Sequence, residues 1–155
     1  MNRYIAFLAS SLFATQLAAV VDCKMYMAQK DRVIVLEKKS CQLVADNSIK
    51  DIGEVDVCLA KMKMANGLNI VRVVVEARRE DRFNYKKLRI VEKAIKDIAS
   101  NRDQLFFTQE YFNTANFMRS RYDVQLSQDL SSMHLKVAEG RFGLDPLYDV
   151  SFECR

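Results

Sequence analysis

The residues of this chain best able to do chemistry are four cysteines, one histidine and a run of cations, and their spacing decides between the options. Cys23, Cys41, Cys58 and Cys154 lie far apart, with no C-x-x-C pair, and His134 is the only histidine. A zinc site needs four closely placed soft ligands, and a redox dithiol needs two neighbouring thiols. Neither pattern is present, so the cysteines read as two structural disulfides, as an even count in an exported chain implies. A first hairpin turning at 29–32 would bring Cys23 close to Cys41, which leaves Cys58 with Cys154, both on expected core faces of strands. His134 would be needed by any histidine-dependent triad, and no serine or cysteine stands in a recognisable nucleophile context. A carboxylate pair could serve a small secreted hydrolase, but the scattered acids single out no residues. No metal or cofactor is expected.

The cations are unevenly distributed. Residues 61–93 hold ten Lys/Arg against four Asp/Glu, in a chain with a formal net charge of +4. Asn66-Gly67 between two apolar runs favours a two-residue hairpin loop, because both residues accept positive φ. In that register Cys58, Ala60 and Met62 oppose Val75, Val73 and Val71 as a core face. Lys61 then opposes Arg72, and Lys61, Lys63, Arg72 and Arg78 share the outer face as the candidate ligand-binding residues. Such a face suits an anionic partner: a polysaccharide, a lipid headgroup or lipopolysaccharide, or an acidic protein. The charge is too modest for a dedicated nucleic-acid binder.

The elements that must carry these residues follow from periodicity. Tyr148, Val150, Phe152 and Cys154 alternate with polar neighbours, as do Met133, Leu135 and Val137, and Tyr122, Val124 and Leu126, which marks strands with one buried face. Residues 139–146 are rich in turn formers, so the last two strands form a hairpin. Residues 23–27 and 33–37 flank a turn at 29–32. Leu88, Val91, Ile95, Ile98 and Ala99 recur at helical spacing over 85–100, with Asn84 as N-cap. The aromatic stretch at 103–118 fits either a helix or strands; a second helix or irregular helical segment is the favoured reading, and its aromatics read as core rather than a ligand pocket. The expected fold is α+β: an antiparallel sheet of six or seven strands with one or two helices packed on it, braced by disulfides. A small all-β barrel or sandwich is the runner-up.

Residues 1–19 have the basic start, apolar run and small terminal residues of a cleaved secretory signal peptide. Asp22 before Cys23 argues against lipid attachment. The remainder, 20–155, reads as one exported domain, secreted or periplasmic, with no further membrane span. The function these features imply is a non-enzymatic binding or interaction module. The alternatives are the carboxylate hydrolase and a subunit of an envelope or extracellular assembly.

Overall fold

The computed structural model describes residues 33–78 and 86–155. The expected signal peptide, Cys23, the 29–32 turn and the Asn84 cap lie outside them. Among the described residues, nine antiparallel strands make one sheet: β1 Val33–Asp46, β2 Glu54–Met64, β3 Asn69–Arg78, β4 Lys86–Ala94, β5 Ala99–Asn101, β6 Gln104–Asn113, β7 Met118–Ser127, β8 Ser132–Gly140 and β9 Asp145–Cys154. Their order in the sheet is β4-β3-β2-β1-β9-β8-β7-β6-β5. Neighbours in sequence are therefore neighbours in space except at β4 and β5, and the first strand pairs with the last. This is the connectivity of an up-and-down barrel opened at one seam, and the sheet curls into a half-barrel.

The concave face holds the main core. Val57 and Leu59 on β2, Val71 and Val73 on β3, Val91 on β4, Phe107 on β6, Val124 and Leu126 on β7, Leu135 on β8 and Phe152 on β9 are buried there. The cross-strand pairs Val124↔Leu135 and Leu135↔Val150 carry this face across β7, β8 and β9. The alternation read for these strands holds, and Tyr148, Val150, Phe152 and Cys154 do share a face. A second cluster lies on the opposite face of the β1–β4 half: Cys58, Ala60, Met62, Ile70 and Val74, with Val33, Met64, Leu68 and Ile90 against it.

The expected α+β class is overturned. Among the described residues there is no α-helix, only the 3-10 turn Ile95–Asp97. Residues 86–94 form β4, whose Glu92 opposes Arg72 across the ladder. The β-branched Ile90, Val91, Ile95 and Ile98 favour an extended backbone, and β3 offers a partner for it. The second expected helix is β6 and the turn after it.

The β2–β3 register is also one residue from that expected. Cys58 opposes Val74, Ala60 opposes Arg72, Met62 opposes Ile70 and Lys61 opposes Val71. The loop has three residues, not two: Met64 N–H donates to Leu68 O at 2.8 Å and Gly67 N–H to Met64 O at 2.9 Å. Gly67 takes φ +81, as a three-residue hairpin with a terminal left-handed residue requires. Asn66 Oδ1 accepts the Leu68 N–H at 3.0 Å, which fixes the loop.

Candidate functional site

The shift in register dismantles the proposed basic face. Because strand side chains alternate, Lys61 and Lys63 project to one side of the sheet and Arg72 to the other. Arg72 is only 2% exposed, and its guanidinium meets the Glu92 carboxylate at 2.9 Å. Lys61 lies 3.8 Å from Glu37. Lys63 is exposed and opposes Ile34 on β1. Arg78 ends β3 opposite Glu54. The four cations of the sequence reading are not brought together.

The cysteine pairing is corrected as well. Cys41 on β1 is bonded to Cys154 on β9, directly opposite it in the ladder, which overturns both Cys23–Cys41 and Cys58–Cys154. The 23–41 inference treated residues 33–37 as a short hairpin arm. In fact β1 runs on to Asp46 and carries Cys41 to the last strand. Cys58 is also disulfide-bonded. Its Cα stands opposite Val74, on the second apolar face.

His134 projects from the outer face of β8, as its alternation implies, and is half-buried. Its Nε2 lies 2.5 Å from Asp149 Oδ1. That hydrogen bond is the chief cause holding the Asp149 carboxyl below the usual range, with smaller help from the charges of His134 and Lys136. The Asp149 main-chain N–H donates to Ser48 Oγ at 3.0 Å, which ties β9 to the β1–β2 loop.

A different set of residues converges at one end of the half-barrel. Three connections meet there: β1–β2, β6–β7 and β8–β9. Their proximity follows from the pairs Asn113↔Met118, Arg119↔Gly140 and Glu139↔Asp145 and from the bond of Ile49 N–H to Leu147 O at 3.0 Å. An open cleft of about 410 Å³ is lined there by Glu110, Tyr111, Phe112, Arg119, Arg121 and Leu144, with Ser120 beneath. Arg119 places its guanidinium carbon 5.9 Å from the centroid of the Phe112 ring, within cation–π range. Arg121 Nε lies 3.0 Å from Asp123 Oδ1. Tyr111 packs edge-on to Tyr122 at 5.6 Å.

The apolar content of this end is exposed. Phe112 and Leu144 face water beside the cleft, Phe117 is 67% exposed in the β6–β7 turn, and Phe142 is fully exposed in the β8–β9 loop. The sequence reading placed the 103–118 aromatics in the core. That holds for Phe107 and in part for Tyr111, but Phe112 and Phe117 lie outside it. The missed signal was local: Phe142 and Leu144 sit inside the turn-forming run 139–146, where an apolar side chain has no core to enter. The chain matches no protein-family model, no curated protein and no solved structure.

Proposed function

We propose that this chain is an exported, non-enzymatic binding module that meets an anionic partner with the loop end of its half-barrel. One observation carries the reading: Phe112, Arg119, Arg121 and Leu144 converge on an open cleft, at an end where Phe117 and Phe142 stand exposed. Exposed aromatics beside arginines are the composition of contact surfaces. The concave face is filled by apolar side chains, aliphatic and aromatic, which directs attention to the rim. The cystine between β1 and β9 fits an oxidising compartment. Together with the signal-like residues 1–19, it supports a secreted or periplasmic destination.

The test is amide chemical-shift mapping on the oxidised protein, titrated separately with heparin and with micelles of an anionic phospholipid. Perturbations should gather at residues 110–121 and 140–145. Perturbations centred on Lys61 and Lys63 instead, or none with either probe, would overturn the reading.

A further inference from the structure

The outer face of β2 and β3 is buried, and the described side chains packed on it come from its own half of the sheet. Cys58, Ala60, Met62, Ile70 and Val74 are between 0% and 5% exposed, with Val33, Met64, Leu68 and Ile90 beside them. Arg72 and Glu76, charged residues of the same face, are 2% and 3% exposed. A sheet does not bury its own face; a second layer must lie over it. Among the described residues, no side chain of β5–β9 belongs to this cluster.

Two stretches of chain are left to supply the layer, residues 1–32 and 79–85. The second is too short. It joins Arg78 to Lys86, which oppose each other across the ladder, and seven residues leaving and returning between such ends reach about 14 Å at most. Ile70, opposite Met62, lies eight residues from Arg78, about 26 Å along the strand.

The first stretch reaches the face and is tied to it. Val33, where it enters β1, opposes Met64 and packs on the cluster. Cys41 and Cys154 are bonded to each other, Cys58 is also disulfide-bonded, and Cys23 is the remaining cysteine. Cys58 lies six residues from Met64, about 20 Å. Ten residues separate Cys23 from Val33, enough to span about 33 Å, so the chain has length to spare for a turn before β1. The spacing agrees as well. Cys23, Met25 and Met27 alternate with Lys24 and Tyr26, the same step that sets Cys58, Ala60 and Met62 on one face of β2. Methionine suits such a layer, because its unbranched side chain fills an uneven apolar surface.

We infer that residues 20–32 are a strap over the outer face of β2 and β3, bonded through Cys23 to Cys58 and carrying Met25 and Met27 onto Ala60 and Met62. The strap closes this face to other proteins, so contacts with a partner fall elsewhere on the molecule.

Methyl cross-relaxation in the oxidised protein tests it. The Met25 and Met27 methyls should show contacts with those of Ala60, Met62 and Ile70. The double variant Met25→Asp, Met27→Asp should exchange its amides over 57–62 and 70–75 faster by about tenfold or more, the scale of withdrawing one apolar side chain from a buried site. Amides of β8 should exchange at the parent rate. The methyl contacts are read in the parent, so they decide even where the double variant does not fold. Their absence, or a folded double variant whose β2 and β3 exchange as slowly as the parent's, overturns the inference. Non-reducing electrophoresis that finds Cys58 bonded between two chains also overturns it, and makes a second copy the cover.

Discussion

The hydroxyl of Tyr111 on β6 donates to the main-chain carbonyl of Ile90 on β4, across the seam where the strand order breaks. Among the described residues β4 is an edge strand, and a carbonyl that points out from such an edge is otherwise left to water. Tyr111→Phe should therefore cost about 1 kcal/mol, the usual net worth of one such bond. Amide exchange in β4 should quicken more than in β8, which lies between two strands. Uniform acceleration across the sheet would mean that the bond does not guard the seam.

The register gives a sharp contrast between two cations once taken as a pair. Arg72 is buried against Glu92, and Glu76 is buried on the same strand. Reversing its charge should destabilise by about 3 kcal/mol or more, as breaking buried ion pairs does. Lys61→Glu, on the other side and partly exposed, should cost within about 1 kcal/mol. Urea midpoints of the two variants decide it, and equal effects would restore the two-residue loop.

Peptide mapping without reduction should join the peptide of Cys41 to that of Cys154. It should also join Cys58 to Cys23, the remaining cysteine of the chain. The 41–154 link spans 113 residues. In the chain-entropy account, replacing both of its cysteines with alanine should lower stability by about 4 to 5 kcal/mol, with strain left aside.

The His134–Asp149 pair predicts an acid limb. A carboxyl lowered in the folded state stabilises the fold above its unfolded pKa, near 3.9. That contribution is lost as pH falls through the lower folded value. His134→Ala should raise the Asp149 pKa towards the ordinary value, read from its carboxyl carbon shift. Parent and variant should converge in stability below the folded pKa of Asp149. Above the unfolded value the gap should stay under about 1 kcal/mol, because the pair is partly exposed.

What could be read from sequence depended on how many faces a strand buries. β7, β8 and β9 bury one face, so polar and apolar residues alternate cleanly and their inward sets were identified. β2 and β3 are buried on both sides over much of their length, which turns alternation into the continuous runs Val57–Ala60 and Val73–Val75. With no polar face to fix it, the hairpin register rested on the loop alone, and the loop has one residue more than Asn-Gly implied. Over 85–100 the residues at helical spacing divide between β4, the 3-10 turn and β5. Only pairing with β3, a contact distant in sequence, overrides that pattern. The loop end was legible only in part: Phe142 and Leu144 inside the turn-forming run 139–146 are a local signal, but their meeting with Phe112 and Phe117 joins segments that no local window spans.

The pairing of β1 with β9 also has a consequence for biosynthesis. β9 is made last of the nine strands, yet it lies at the middle of the sheet. Ser40 and Arg155 exchange main-chain bonds at 2.8 and 2.9 Å. The two halves, β1–β4 and β5–β8, can be joined into one hydrogen-bonded sheet only after β9 has emerged. Such non-local closure is slow. A nascent chain of this design keeps its sheet unclosed until β9 has been made, and the Cys41–Cys154 bond that locks the first strand to the last can form only then.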